Sequence, residues 1–258
     1  MKQSDIGRRT VQKGDTSKQS LADSSKWPRN RLLGALPSRS LARIMSELEL
    51  IQLTRGEVLS DVDSVLSHVY FPDSGVISVV AVYEDGSTIE MATVGREGFT
   101  DVHAVSSAKT SSARLLVQIP GTAARMSRAS FAWAMASIPT VRSLMHVYVH
   151  AFLEQVLISG ACNGAHSLKQ RTARWLLMMR DRSDDDTLPI TQDILAAMLG
   201  VQKPSITIVA RELENQGLIK RRRRHDTITD RKALIKASCE CYQLVGARFA
   251  SYFPKSYL

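Results

Sequence analysis

The sequence predicts an α+β fold: an N-terminal antiparallel β-barrel or jelly roll, one long helix, and a C-terminal winged helix-turn-helix. Three observations support this prediction. Short β-rich runs separated by turn signals fill residues 51–119, a long helical period follows Pro139, and two short helices with a basic hairpin fill residues 190–230. Regularly spaced short strands are typical of closed antiparallel sheets, whereas an apolar period of three to four residues is typical of helices.

The first 28 residues differ in composition from the rest of the chain. They are rich in Ser, Lys, Gln and Asp and contain isolated apolar residues, so we expect residues 1–28 to form a disordered tail. From Asn30 onwards, spaced leucines predict one or two short helices, and Pro37 with Ser38 opens the second of them.

Turn residues divide the next segment into short strands. Asp85-Gly86, with alternating residues on both sides, is the clearest hairpin signal. Such regular spacing predicts a small antiparallel barrel or jelly roll within residues 29–138. The predicted strands lie at residues 51–53, 56–59, 68–71, 76–83, 88–91 and 114–119.

Helical periodicity returns after Met126, first over residues 127–137 and then from Pro139. The second helix has a wide apolar face that needs a cover, either the barrel itself or a second copy of the helix in a two-fold dimer. We therefore expect a dimerisation helix over residues 139–164. Its apolar face consists of Val141, Leu144, Met145, Tyr148, Phe152, Gln155, Val156 and Ser159.

A further helix is predicted from Leu168 to Arg180. Its apolar residues Trp175, Leu176 and Met179 are expected to face inward. Its basic residues are expected to face outward; they are Lys169, Arg171, Arg174 and Arg180.

Residues 190–230 carry the pattern of two helices joined by a tight turn. Thr191 is a suitable N-cap, Gly200 tolerates a positive φ in the turn, and Pro204 fits the first turn of the second helix. This is the geometry of a helix-turn-helix, whose second helix enters the major groove of DNA. The core face of that helix recurs at helical spacing in Ile206, Val209, Ala210 and Leu213.

A basic hairpin follows the second helix. Five consecutive cations, Lys220 to Arg224, precede a returning strand at residues 227–229, and cations on such a wing would meet DNA phosphates. A helical hairpin alone is often simple core, and a charge run alone is often a solvated loop. Their combination in this order favours a DNA-binding domain over residues 165–242, followed by a C-terminal tail of residues 243–258.

Composition agrees with a nucleic-acid partner. The chain has 34 Lys and Arg against 25 Asp and Glu, a formal net charge of +9, which favours a polyanionic partner. A run of about 18 apolar residues and an apolar N-terminal signal are both missing, so we expect a cytoplasmic protein without membrane contact. Three cysteines, none in the first 161 residues, exclude a disulfide framework.

The order of a barrel, a long apolar helix and a winged helix-turn-helix resembles the Crp/Fnr transcription regulators. The resemblance extends from Asn30 to about Tyr242 and is strongest in ITQDILAAMLGVQKPSITIVARELENQGLI and in TITDRKAL after the wing. The segments HVYFPDSGVISVV, TVGREGF, ACNGAHSL and CECY are similar to a subgroup of bacterial regulators in that family.

The resemblance implies a cyclic-nucleotide-binding-like sensor barrel at residues 29–138 and a homodimer that binds palindromic double-stranded DNA. RNA polymerase is the further partner it implies, and the two recognition helices are expected about 34 Å apart. The main base-reading positions of the family fall on Lys203, Pro204 and Ile208, where its best-known member has Arg, Glu and Arg. The usual half-site of the family is therefore not expected, since Pro204 and Ile208 offer apolar contacts alone.

The remaining DNA contacts follow from the resemblance and from the basic wing. Thr191, Gln192 and Ser205 match phosphate-contacting positions of the family. The complete predicted DNA-binding set is Thr191, Gln192, Lys203, Pro204, Ser205, Thr207, Ile208, Arg211, Arg221, Arg222, Arg223 and Arg224.

The sensor half departs from the family pattern. A cyclic-nucleotide pocket there uses a Glu for the ribose and an Arg with Ser or Thr for the phosphate, and neither stands in the expected register here. Three alternatives therefore stay open. The barrel binds a cyclic nucleotide as a cofactor, it binds another ligand, or it serves as a dimer scaffold. The candidate effector-binding residues are Gly95, Glu97, Gly98, Asp101, Ser112 and Arg114, with Ser111 beside Ser112.

Other chemistries find less support in the sequence. Cys162 and His166 lie one helical turn apart, but two ligands do not make a metal site, and Cys239 and Cys241 have the same shortage. We therefore predict no metal and, without a nucleophile elbow or a phosphate-binding glycine loop, no enzyme. The alternative function is a ligand-binding regulatory module that acts on a protein partner, but that function gives the basic wing no role.

Overall fold

The computed structural model describes residues 27–106, 108–183 and 185–253. Residues 1–26, nearly all of the predicted disordered tail, lie outside the described residues, as do residues 254–258.

Seven antiparallel strands form the N-terminal domain, and the sequence predicted six of them. They are β1 (Leu48–Leu53), β2 (Val58–Ser60), β3 (His68–Pro72), β4 (Val76–Val82), β5 (Thr88–Val94), β6 (Arg114–Ile119) and β7 (Gly121–Ser127). Two sheets result, with the orders β1-β7-β3 and β2-β6-β4-β5. The strand β7, which is central in its sheet, was not predicted, because Ala123 and Ala124 are small residues without a clear alternation.

Nine helices and three short strands complete the described part of the chain. The helices are α1 (Arg31–Gly34), α2 (Ser38–Ile44), α3 (Arg128–Ser137), α4 (Pro139–Ala165), α5 (Leu168–Arg182), α6 (Gln192–Leu199), α7 (Lys203–Asn215), α8 (Arg231–Ala237) and α9 (Cys241–Tyr252). The wing strands are β8 (Thr187–Leu188), β9 (Ile219–Arg221) and β10 (Asp226–Ile228), in the order β8-β10-β9. Short 3₁₀ segments lie at Met45–Glu47 and Val102–Ser106.

The predicted C-terminal tail of residues 243–258 is wrong for most of its length, because α9 occupies residues 241–252. Its residues Cys241, Val245 and Phe249 recur every four positions and are all buried. The Phe249 ring lies 6.4 Å from the ring of Tyr148 on α4. An apolar stripe therefore docks α9 against the long helix.

The apolar face predicted for dimerisation on α4 packs mainly inside the chain. Val141, Met145 and Tyr148 are at most 2% exposed, and the Tyr148 ring lies 5.0 Å from that of Phe99 in the barrel domain. Gly98 makes this approach possible, since a Cβ there would lie 2.0 Å from the Tyr148 hydroxyl oxygen. This face is therefore core, and a different face of α4 points outward.

A buried ion pair joins the barrel domain to α5 and α4. Arg182 Nε donates to Glu97 Oε1 at 2.7 Å, and both side chains are about 90% buried. Arg182 Nη2 also donates to Gln155 Oε1 at 2.9 Å, and Gln155 Nε2 donates to the carbonyl oxygen of Thr93 at 2.9 Å. These four residues connect the end of β5, the middle of α4 and the end of α5.

A second polar contact holds α5 against β5. Glu90 accepts hydrogen bonds from Trp175 Nε1 at 2.8 Å and from Ser78 Oγ at 2.5 Å. Burial raises the pKa of Glu90 to about 7, although both hydrogen bonds favour the ionised form. Arg174, expected to face outward, is 5% exposed and donates to Ser159 Oγ on α4 at 3.2 Å. The outward prediction for Arg174 is therefore wrong, because α4 packs over that face of α5.

Within the described part of the chain, no single helix is long and apolar enough to cross a membrane. The helices α6 and α7 together meet the criteria of length and composition, but they meet at an angle of 110°.

Removing one partner of the buried ion pair is expected to destabilise the protein strongly. Arg182→Met leaves Glu97 buried without its counter-charge, which costs about 3–5 kcal/mol in the free energy of unfolding. The double variant Glu97→Gln/Arg182→Met removes that uncompensated charge and should recover most of the loss. Urea unfolding of the three proteins measures this. Equal losses in the single and double variants would contradict the assigned role of the pair.

Candidate nucleic-acid interface

Local signals build the turn between α6 and α7. The Thr191 side chain caps α6 by accepting from the backbone N–H of Ile194 at 3.3 Å. Gly200 ends the helix in the left-handed conformation, with φ at 63°. Pro204 lies in the first turn of α7, where no backbone donor is needed. The structure thus confirms the helix-turn-helix geometry that the sequence predicted.

The recognition helix α7 divides into a buried and an exposed face. Its buried face anchors the helix on α5 and α6 and consists of Ile206, Val209, Ala210 and Leu213. Ile208 is 63% exposed, which is unusual for a large aliphatic side chain unless a partner covers it. The other predicted contact residues that are exposed on α7 are Lys203, Pro204, Ser205 and Arg211.

Lys203, the predicted guanine reader, forms an ion pair in the structure. Its Nζ lies 2.8 Å from Asp193 Oδ1 at the start of α6, and both side chains are more than half exposed. An exposed pair of this kind contributes about 0.2–1 kcal/mol. Lys203 can therefore leave Asp193 at little cost when a stronger acceptor approaches.

A polar network links the two helices to the wing. Thr207 Oγ1 lies 2.8 Å from the Gln192 amide and donates to the carbonyl oxygen of Lys203 at 3.0 Å. With the amide nitrogen facing Thr207, the Gln192 oxygen accepts from Arg221 Nη1 at 3.1 Å. Gln192, Thr207 and Arg221 thus hold one another in place, in addition to any contacts that they make with a ligand.

The wing presents three of its arginines to solvent. Arg222, Arg223 and Arg224 are exposed at the tip of the β9–β10 hairpin. Arg221 differs, because its side chain is 17% exposed and its Nε lies 3.7 Å from Asp226 Oδ1. Burial raises the pKa of Asp226 to about 6, although Arg221 lowers it. The prediction of Arg221 as a free phosphate contact is therefore a poor fit, since this side chain supports the base of the wing.

The helix-turn-helix and the wing enclose a cleft of about 560 Å³. This cleft is lined by residues at the start of α6, by the first residue of α7 and by the wing. The cations that line it are Lys203, Arg221, Arg222 and Arg223. An anionic backbone would find positive charge on two sides of this cleft.

Three of the predicted effector residues lie in an internal junction. Glu97 forms an ion pair with Arg182 and also accepts a hydrogen bond from the backbone N–H of Gly95 at 3.1 Å. A Cβ at Gly95 would lie 2.7 Å from the Arg182 side chain. Gly95, Glu97 and Gly98 thus pack against α4 and α5. The effector-binding prediction for these residues stays a prediction without support from this packing, because α4 and α5 contact all three of them.

The other three effector candidates are not brought to one point. Arg114 donates to Asp61 through Nε at 2.9 Å and Nη2 at 2.8 Å, a bidentate pair at the protein surface. Ser112 Oγ lies 2.7 Å from His103 Nε2, and Asp101 accepts from Ser111 Oγ at 3.2 Å. Burial raises the pKa of Asp101 to about 6. Arg114 is therefore engaged elsewhere, whereas Asp101 and Ser112 lie beside cavities.

A cavity of about 570 Å³ separates the barrel from the outward face of α4. Most of its lining is aliphatic, with polar groups from Ser106, Ser112, His103 and His146. Among the described residues that line it, none is Lys or Arg. A deeper hollow inside the barrel, beside Asp101 and Ser111, shares part of this lining. The sequence analysis missed this cavity because its walls come from strands and a helix distant in sequence.

The structure also groups four residues that the sequence analysis left as two pairs. Ligand atoms of Cys162, His166, Cys239 and Cys241 all lie within 4.8 Å of one another. The prediction of no metal depended on counting the pairs separately. The spacing CxC in CECY, with a second pair on a helix, was the available signal.

Comparison with known proteins agrees with this geometry. Residues 170–237 match the family model of the Crp-like helix-turn-helix domain. A sequence comparison with curated proteins finds no significant match.

Solved structures with the same fold come from several bacteria. FixK2 from Bradyrhizobium japonicum is 15% identical with a TM-score of 0.61, covering 74% of this chain and 98% of FixK2. A CRP-family transcriptional regulator from Thermus thermophilus is 17% identical with a TM-score of 0.63, covering 74% and 99%. CLP from Xanthomonas campestris, described as responsive to c-di-GMP, is 14% identical with a TM-score of 0.62, covering 75% and 100%.

Proposed function

We propose that this transcription regulator of the Crp/Fnr type, recognised by its Crp-like helix-turn-helix domain and its fold, binds a palindromic DNA site as a homodimer. The observation that carries the proposal is the exposed recognition helix α7 beside three exposed wing arginines. A module acting on a protein partner would leave this surface without a ligand. In the proposed division, residues 29–138 sense, residues 139–164 dimerise and residues 165–242 bind DNA, in the cytoplasm and in contact with RNA polymerase.

The outward face of α4 supports the homodimer. Leu153 and Leu157 are 51% and 60% exposed, although the helix is otherwise well packed. Val149, Leu153, Val156 and Gly160 follow one another at intervals of four, three and four residues, the spacing of a coiled-coil seam. A second copy of α4 would cover this seam and bring two recognition helices to one side of the assembly.

Charges on this seam are expected to separate the protomers. Leu153→Glu/Leu157→Glu should turn the dimer into a monomer, because burying four carboxylates in an apolar seam is unfavourable. Sedimentation equilibrium measures the mass, and Val62→Glu/Val65→Glu, at sites on the barrel that are 38% and 76% exposed, is the matched control. A double variant that keeps the dimeric mass would contradict the seam.

The DNA contacts divide into base and phosphate contacts. Lys203 can reach guanine O6 and N7, and Ile208 is placed for a thymine methyl group. Ser205, Arg211 and the wing arginines are placed for phosphates. Pro204 adds an apolar surface, and Thr191, Gln192 and Thr207 support the helix ends that these contacts need.

Two kinds of variant should lose affinity in different ways. Lys203→Ala should weaken binding by about 1–3 kcal/mol at one base pair and relax the preference there. Arg222→Ala/Arg223→Ala should weaken all sequences alike and reduce the salt slope by about 0.9 for each lost phosphate contact. Fluorescence anisotropy at several salt concentrations measures both, with Arg39→Ala on α2 as the charge-matched control for Lys203→Ala. A sequence-independent loss in Lys203→Ala would contradict the assignment of α7.

The cavity beside α4 is the proposed effector site. Its residues Val149, Leu153 and Val156 also belong to the dimer seam, so a ligand there would bear directly on the assembly. A cyclic phosphate would lack a guanidinium partner, because Arg114 is paired with Asp61. The largely aliphatic lining favours a neutral, mainly apolar small molecule instead.

Ligand titrations distinguish these two effectors. Calorimetry with cyclic AMP should give no binding, whereas a neutral apolar dye should bind one site per protomer. Val105→Trp, at the cavity wall, should abolish dye binding by filling the space, and Arg114→Ala should leave it unchanged. Binding of cyclic AMP that Arg114→Ala abolishes would contradict the apolar site.

A further inference from the structure

Three cysteines and one histidine converge where the long helix meets the C-terminal helix. Cys162 and His166 lie on successive turns at the end of α4, and Cys239 and Cys241 flank the turn from α8 to α9. We propose that these four residues form a structural Zn²⁺ site of the Cys₃His type.

The distances suit tetrahedral coordination. Ligand atoms placed about 2.3 Å (S) or 2.0 Å (N) from Zn²⁺ at the corners of a tetrahedron lie roughly 3.5–3.8 Å apart. The sulfurs of Cys162 and Cys239 are 3.5 Å apart, and the Cys241 sulfur lies 3.7 Å from His166 Nδ1. All four ligand atoms lie within 4.8 Å of one another, so small side-chain rotations complete the coordination. The sulfur–sulfur distance is too long for a disulfide, and the three cysteines are free.

A carboxylate orients the histidine for this role. His166 Nε2 lies 3.2 Å from Glu240 Oε1, while Nδ1 faces the Cys241 sulfur. A proton on Nε2 that is donated to Glu240 leaves the Nδ1 lone pair free for the metal. The arrangement of carboxylate, histidine and metal recurs in protein zinc sites, where it fixes the ring and raises its basicity.

Burial and charge also favour a thiolate-rich metal site. Cys162, Cys239 and Cys241 are at most 7% exposed, and His166 is mostly buried. Zn²⁺ with three thiolates and one imidazole carries a net charge of −1. Arg171 and Arg174 both lie within electrostatic range of Cys162, and their Nε groups are buried without hydrogen-bond partners. The two guanidinium groups would thus offset the negative charge of the metal site. Soft thiolate ligands in tetrahedral geometry select Zn²⁺ over harder cations.

The site would fasten the DNA-binding half to the long helix. The chain passes from α4 to α5 at His166 and Ser167, directly beside two of the ligands. The other two ligands follow the wing and precede α9, which packs along α4. Zn²⁺ would therefore fix both chain crossings between the two halves at one point. Loss of the metal is expected to loosen α9 and the orientation of the helix-turn-helix.

Metal analysis of the full-length protein tests the proposal. Protein purified under reducing conditions without chelator should contain one zinc per protomer by mass spectrometry. After removal of the zinc by a chelator, Co²⁺ should produce thiolate charge-transfer bands and the strong visible absorption of a tetrahedral site. Cys239→Ser/Cys241→Ser should lose the stoichiometric metal and these bands. His150→Gln on the same helix should keep both.

Glu240, which contacts the proposed histidine ligand, provides a variant that is expected to fold. Glu240 is exposed, and Glu240→Gln should lower the affinity for Zn²⁺ by about 10–100-fold while keeping the Co²⁺ spectrum. Metal-free protein whose Co²⁺ titration gives no charge-transfer band would overturn the site. So would stoichiometric zinc in the double cysteine variant, or a native Cys162–Cys239 disulfide found by mapping the protein purified without reductant.

Discussion

The buried pair of Glu97 and Arg182 is the constraint on which the relative placement of the two halves depends. One guanidinium contacts the loop after β5 through Glu97 and α4 through Gln155, while its own backbone ends α5. The pair therefore connects the barrel, the long helix and the DNA-binding domain, and removing either charge would leave the other unsatisfied in the interior. The Glu90–Trp175 hydrogen bond and the approach of Gly98 to Tyr148 reinforce the same contact.

Local signals made the DNA-binding half predictable from the sequence. Thr191, Gly200 and Pro204 specify the ends of two helices by their own backbone and capping chemistry, and the structure has them there. The sensor half was less predictable, because Glu97 stands in a suggestive motif yet meets a residue 85 positions away. No local sequence pattern predicts that Glu97 pairs with a residue so distant in the chain. The α9 helix was missed although Cys241, Val245 and Phe249 carried its period, because most of the helix follows Tyr242, where the family resemblance ends.

Long-range convergence also explains the missed cysteine cluster. Each pair, Cys162 with His166 and Cys239 with Cys241, offers two ligands, which is too few for a metal site when counted separately. The packing of α9 along α4 brings the two pairs to one place, where they offer four ligands. The same packing turns the predicted dimer face of α4 inward and leaves Leu153 and Leu157 outside. The docking of α9 on α4 thus determines which residues form the proposed metal site and which form the proposed seam.

Selection of bound sequences from a random pool of double-stranded DNA by the purified protein tests the central claim most directly. A homodimer with two recognition helices should select a palindrome whose half-sites are centred one helical turn, about 34 Å, apart, and should do so equally with and without cyclic AMP. A pool without enrichment, or an asymmetric single site, would contradict a homodimeric regulator. Enrichment that requires cyclic AMP would contradict the apolar effector site while leaving the dimer and its recognition helices in place.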